Sequence, residues 1–200
     1  MKRLGILVSG RGSNMVAIMD ACEQGRLAAN IEVVISNNAE APALVIARAR
    51  GISTACLGSR IPPDPEMLDS VMLKTLSSSN VDLVLLAGYM KKIGPRTLAA
   101  YKGRIINIHP SLLPRFGGKG MYGMNVHEAV IANGEKETGV TIHLVDAEYD
   151  KGAILAQEAI AVKPDDTAES IAARVLQIEH VLYTETIQKI IDGSIILPLE

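Results

Sequence analysis

No block of Lys or Arg interrupts the 200 residues, and the formal charge is only −2. The chain therefore lacks the electrostatic footprint of a nucleic-acid or anionic-membrane binder. No apolar run approaches the ~20 residues of a membrane span. The N-terminal run 4–8 is closed by Ser9, Gly10 and Arg11 and reads as a first strand, not as a secretory signal. The two cysteines, Cys22 and Cys56, stand far apart in apolar surroundings, without a partner at metal-ligand or redox spacing, so buried structural thiols are expected and not a disulfide. No pair among His109, His127, His143 and His180 has zinc-motif spacing, and HEAVI at 127 lacks the second histidine of HExxH; no metal is expected. Repeats, low-complexity tracts and linkers are also missing. What these absences leave is one cytoplasmic domain with small-molecule partners, and a chain that is 48% hydrophobic can bury the core for it.

Short apolar runs alternate with longer amphipathic ones. Strands are predicted near 3–8, 31–36, 53–57, 82–87 and 104–108, with helices near 13–25, 41–50, 65–78 and 94–100 between them. Strands so uniformly apolar need both faces covered, which predicts an α/β, Rossmann-like, mostly parallel sheet with helices on each side. After residue 118 the pattern changes. A helix at 125–133 precedes two β-rich runs, TGVTIHLV and AILAQEAIAV, expected to be antiparallel. Asp165, Asp166 and Thr167 then offer helix-starting residues before a long final helix, 168–191, with Gly193 as its stop.

The stretch SGRGSN follows the first strand and opens the first helix. Glycines there expose backbone N–H groups at a helix N-terminus, a setting that favours a phosphate, and Gly12, Ser13 and Asn14 are best placed for it. The loop is neither a Walker loop nor a dinucleotide fingerprint, since no Gly-Lys-Ser/Thr follows and Met15 stands where the third glycine belongs. The second strand ends in Ser36, Asn37 and Asn38, where a nicotinamide-binding fold offers a ribose-binding acid. The competing reading is purely local: a tight strand-to-helix turn with Ser13 or Asn14 as N-cap.

In IINIHPSLLPRFGG, Asn107 and His109 interrupt an apolar strand two positions apart, so they share one face. That pair suits chemistry at a carbonyl: an amide donates to a developing oxyanion, and an imidazole donates or moves protons. Pro110 holds the His109 backbone extended and Pro114 restrains the loop that follows. The alternative is a buried polar pair that satisfies loop backbone groups. The acidic turn after TGVTIHLV brings Asp146, Glu148 and Asp150 as candidate partners for the imidazole, whose pKa a neighbouring carboxylate would raise and whose tautomer it would fix. Solvation and Asx-turn chemistry is the competing account of these acids. His143 reads as a packed or hydrogen-bonded structural residue.

The runs SGRGSN, LAGYMKKI, INIHPSLLPRFGG, HEAV, TGVTIHLVDAEYDKGAI and IEH, in this order over nearly the whole chain, closely resemble the phosphoribosylglycinamide formyltransferase (GAR transformylase) family of the formyltransferase superfamily. The resemblance implies transfer of a formyl group from 10-formyltetrahydrofolate, as co-substrate, to the glycinamide amine of GAR in purine biosynthesis, without a metal. It implies a catalytic set of Asn107, His109 and Asp150. GAR contacts fall on Gly12, Ser13, Asn14 and Glu179, and folate contacts on Met90, Lys91, Lys92, Ile93 and Asn107. It implies one formyltransferase domain over 1–200, with 1–100 as a nucleotide/phosphate-binding half and 101–200 as a catalytic and folate-binding half. Monomer and homodimer both remain open.

Three positions depart from the family pattern. An arginine of the family's SRE stretch has no clear counterpart in Ile61, Pro62, Pro63, Asp64, Pro65 and Glu66, with Arg60 as a candidate substitute. Lys91 stands for a frequent arginine, which keeps charge for an acidic folate tail but loses the planar fork. Leu176 occupies a position that is polar in relatives. Within the superfamily, a formyltetrahydrofolate hydrolase usually carries a domain ahead of the catalytic part, whereas the first strand here begins at residue 3. A methionyl-tRNA formyltransferase needs a further C-terminal domain and a basic surface. From another class, the chain would be a non-catalytic binder of a phosphorylated metabolite. Gly117, Gly118, Gly120 and Gly123 make the 110–124 loop a candidate lid, with ordinary surface flexibility as the alternative.

Overall fold

Strands rich in leucine, isoleucine and valine pair side by side in the interior of a seven-stranded sheet in a computed structural model describing residues 1–58 and 64–197. Arg60 and the 61–63 stretch lie outside the described residues. The elements are β1 (Lys2–Val8), α1 (Ser13–Glu23), β2 (Ala29–Ser36), α2 (Pro42–Ala49), β3 (Ser53–Cys56), α3 (Pro65–Ser78), β4 (Leu83–Leu86), α4 (Pro95–Ala100), β5 (Ile105–His109), α5 (Met124–Ala132), β6 (Glu137–Leu144), β7 (Ile154–Ala161) and α6 (Ala168–Ile191). The sheet order is β3-β2-β1-β4-β5-β6-β7. Pairings from β3 to β5 are parallel, while β5–β6 and β6–β7 are antiparallel. The expected βα repetition and the antiparallel C-terminal third are both present.

Two apolar layers cover the sheet. Leu4, Ile6 and Val8 of β1 pack into the layer of α1, α2 and α6, while Leu7 faces the layer of α3 and α4. This period-two division is what a doubly covered strand requires. At Gly5 a Cβ would come within 2.8 Å of Leu76, which explains the one gap in the apolar run. The helix ends follow local chemistry. Thr167 and Ser170 form a reciprocal capping box at the start of α6, and Gly193, at φ 82, follows its end. Asp69, buried on α3, accepts from the Arg96 and Thr97 backbone N–H groups and so caps α4.

One expectation fails. Cys56 is exposed and Cys22 only partly buried, both as free thiols. Strand β3 is the sheet edge, so its residues lack the second neighbour that would enclose them. Burial pushes the Cys22 thiol up to about 11, which makes it unreactive.

Candidate active site

The strand order turns back between β1 and β4, and in open α/β sheets the crevice at the carboxyl ends of such strands receives ligands. A cleft of about 470 Å³ lies there. It draws Asn14 from the turn after β1, residues 88–93 from the segment after β4, Asn107 and His109 from β5, Asp150 from the β6–β7 turn and Glu179 from α6. Both halves of the chain contribute.

Strand β5 runs through His109, so Asn107 and His109 do share a face. Across the antiparallel pairing, Asn107 stands opposite His143 and His109 opposite Thr141. The Asp150 carboxylate lies between the two imidazoles, with Oδ2 3.8 Å from His109 Nδ1 and Oδ1 3.6 Å from His143 Nε2. Of the three acids in the turn, Asp150 reaches His109. Asp146 is exposed and accepts instead from the Glu148 backbone N–H at 2.8 Å, the Asx-turn chemistry weighed as its alternative.

The tautomer of His109 is set by an unexpected group. His109 Nε2 lies 2.8 Å from the Phe116 carbonyl oxygen; a carbonyl only accepts, so Nε2 carries the proton and Nδ1 is left facing Asp150. The expected rise in pKa is not the net result. Burial drives the His109 pKa below its ordinary value, and the opposing pulls of Asp150 and the Phe116 carbonyl are smaller. At 3.8 Å, Asp150 acts on the imidazole through space and not through a hydrogen bond.

Backbone shape delivers the acid. Asp150 has φ 56, a left-handed conformation that aspartate tolerates better than most residues, and its Oδ2 accepts from the Gly118 N–H at 2.8 Å. Two residues on, a Cβ at Gly152 would lie 1.8 Å from the Leu144 carbonyl oxygen, so only glycine lets the turn close against β6. Phe116, whose carbonyl holds His109, also has a positive φ of 53, an uncommon state for a bulky residue and one associated with functional sites.

Of the predicted phosphate turn, Asn14 lines the cleft, whereas Ser13 borders a separate concavity with Asp20 and His180; Gly12 is the N-cap of α1, with φ 77 and no side-chain cap. A Cβ on it would stand 2.7 Å from that of Ala43. Neither Ser13 nor Asn14 caps the helix, so that part of the local alternative fails, while the tight glycine turn it invoked is present. Asn14 instead reaches across 165 positions of sequence to donate from Nδ2 to Glu179 Oε2 at 2.6 Å, leaving its buried Oδ1 without a partner. Burial raises the Glu179 pKa, against a smaller lowering by this hydrogen bond. One helical turn beyond Glu179, the Tyr183 hydroxyl lies 3.1 Å from both the Leu86 and Ile106 carbonyls. It can donate to only one at a time, and it bolts α6 onto β4 and β5 beside Asn107.

Met90, Lys91, Lys92 and Ile93 all line the cleft. Ser9 accepts from the Met90 N–H at 2.8 Å and donates to Asn37 Oδ1 at 2.5 Å, clipping the segment to the ends of β1 and β2. Lys91, Lys92 and Ile93 also border a second concavity of about 1120 Å³ that runs to Asp69 and Leu98. Lys119 and Tyr122 of the glycine-rich loop face the first cleft. Leu176 is partly buried on α6 and does not line the cleft. Among the described residues, no three His, Cys, Asp or Glu side chains are grouped to hold a metal ion, and no helix is long and apolar enough to cross a membrane. Ser9, Tyr183 and the Phe116 carbonyl were missed by sequence reasoning. His143, expected as a packed or hydrogen-bonded residue, is both, 2% exposed and within hydrogen-bond distance of Leu144 and Asn107.

A family model described as Formyl transferase matches residues 2–187. The phosphoribosylglycinamide formyltransferase of Haemophilus influenzae is 37% identical over 98% of this chain and 90% of its own length. A chloroplastic one from Vigna unguiculata is 45% identical over 98% of this chain, which spans 62% of that relative's length. Among solved structures, glycinamide ribonucleotide transformylase 1 from Symbiobacterium toebii is 37% identical, with a TM-score of 0.92, covering 100% of this chain and 92% of that one. A match over almost every element that builds the cleft, joined to relatives at this identity, makes the chain a member of the formyl transferase family.

Proposed function

We propose that this protein transfers the formyl group of 10-formyltetrahydrofolate to the glycinamide amine of GAR, giving formyl-GAR and tetrahydrofolate. The observation that carries the reading is one cleft in which Asn107, His109 and Asp150 converge between Asn14 and the 90–93 segment, in a chain of this family. In this reading Gly12, Ser13 and Asn14 take the GAR phosphate on unpaired N–H groups, and Glu179, held by Asn14, contacts the rest of GAR. Met90, Lys91, Lys92 and Ile93 hold the folate. Its anionic tail follows Lys91 toward the second concavity.

The GAR amine attacks the formyl carbon, forming a C–N bond. The resulting oxyanion is stabilised by the Asn107 N–H and by His109 protonated on Nδ1. Asp150 favours that protonated state electrostatically. As the bond to the folate nitrogen breaks, the proton lost by the amine passes to that nitrogen. The single formyltransferase domain divides its labour accordingly, with the phosphate turn in residues 1–100 and the reacting groups in 101–200.

The test mixes protein, 10-formyltetrahydrofolate and GAR and follows release of free folate. Turnover that requires GAR is expected. Turnover without GAR identifies a hydrolase, and phosphate-ligand binding with no turnover identifies a binding module.

A further inference from the structure

His143 is buried, 2% exposed, and stands directly across the β5–β6 pairing from Asn107. Its Nδ1 lies 2.8 Å from the Leu144 carbonyl oxygen. That oxygen cannot donate, so Nδ1 carries the ring proton. Burial lowers the His143 pKa, with His109 acting in the same direction, against the smaller pulls of the Leu144 carbonyl, Asp150 and Asp146. Nε2 is then a bare acceptor, and Asn107 Nδ2 lies 3.0 Å from it. An amide oxygen turned toward a bare ring nitrogen would set two lone pairs against each other, so the neutral tautomer selects the amide orientation. No other side-chain hydrogen bond is made by Asn107 among the described residues, and Asn107 lines the cleft. Its second N–H is therefore available there.

We infer that His143 is a positioning residue: its unprotonated Nε2 holds the Asn107 amide nitrogen and so keeps the second Asn107 N–H turned to the oxyanion. This inference rests on the formyl-transfer reading for its consequence in rate, though not for its geometry. The two imidazoles beside Asp150 then work in opposite senses. His109, locked by Phe116, offers Nδ1 for a proton, whereas His143, locked by Leu144, must stay bare at Nε2. A proton on His143 Nε2 would find Asp150 Oδ1 at 3.6 Å and release Asn107 from this partner.

Two measurements test this. In 15N imidazole spectra of the unaltered protein at neutral pH, His143 is expected as the Nδ1–H tautomer; an Nε2–H tautomer or an imidazolium overturns the inference whatever the enzyme does. In the GAR-dependent assay, His143→Leu should lose about 10- to 100-fold in kcat, approaching the loss of one oxyanion donor, with KM for both substrates little changed. His143→Gln restores a non-titrating acceptor near the Nε2 position and should recover most of that loss. Equal damage in both variants, or none in His143→Leu, overturns the positioning role. Should His143→Leu fail to fold, the spectra and the His143→Gln rate still decide. An unaltered protein inactive with GAR counts against the formyl-transfer reading alone, because the tautomer is read separately.

Discussion

Asn14, in the turn after β1, and the end of β5 line the same cleft, yet the two regions present polar groups in different ways. At Gly12 the proposed binding groups are backbone N–H donors at a helix start without a side-chain cap. At β5 the polar side chains are already engaged: Asn107 with His143, His109 with Phe116, and Asp150 with Gly118. Binding can use groups that wait for a partner. Chemistry at a carbon that changes shape needs groups whose orientation is settled beforehand, so that nothing reorganises as charge develops.

Substitutions at the two ends should therefore fail differently. The largest effect is expected at β5: Asn107→Ala and His109→Ala should retain the fold by circular dichroism and lose about a hundredfold or more in kcat, with KM little changed. Asp150→Asn should cost less, and its signature is a pH shift. In the proposed mechanism protonated His109 is the active form, so the limb of kcat/KM due to His109 should fall as pH rises, with a midpoint below the ordinary histidine value of 6.5. Asp150 pulls that midpoint up, so removing its charge moves the limb to still lower pH. An unmoved limb would separate Asp150 from His109. At the other end, Gly12→Ala should raise KM for GAR about tenfold while kcat stays within a few-fold. It should also cost about 1–2 kcal/mol from the left-handed backbone alone, measured as a lower urea midpoint. A fall in kcat without a change in KM would erase the contrast.

The smallest effect is on stability. His109, His127, His143 and His180 all have pKa values lowered by burial. Below 6.5 the unfolded chain binds more protons at these sites than the folded one, so stability should decline as pH falls from 6.5 toward the folded pKa values. Glu179, raised by burial, opposes this with one group against four. A urea midpoint no lower at pH ~5 than at pH ~7 would contradict the sign.

Much of this was legible in the residues. Period-two spacing placed Asn107 and His109 on one face, and apolar runs between amphipathic ones marked the parallel sheet and its helices. The register of β5 against β6 was not legible, and the pairing of Asn107 with His143 went with it; Asp150 was separated from Asp146 only by the family resemblance, because the approach of either acid depends on how the 145–153 turn closes. The Asn14–Glu179 contact spans the chain and obeys no local period. The tautomers of His109 and His143 depend on main-chain carbonyls, and a carbonyl at Phe116 or Leu144 has no signature in the letters. Cys56 was misjudged because apolar neighbours do not reveal that a strand lies at an edge.

The missing side chain at Gly152 bears on how such an enzyme tolerates change. Almost any replacement there would wedge β6 and the acidic corner apart, and the damage would be recorded one ångström at a time as a longer reach from carboxylate to imidazole. Activity at this position should thus decline with the bulk of the substituent even when its polarity is kept, a gauge of how closely the backbone must fold upon itself before a proton can be held in place.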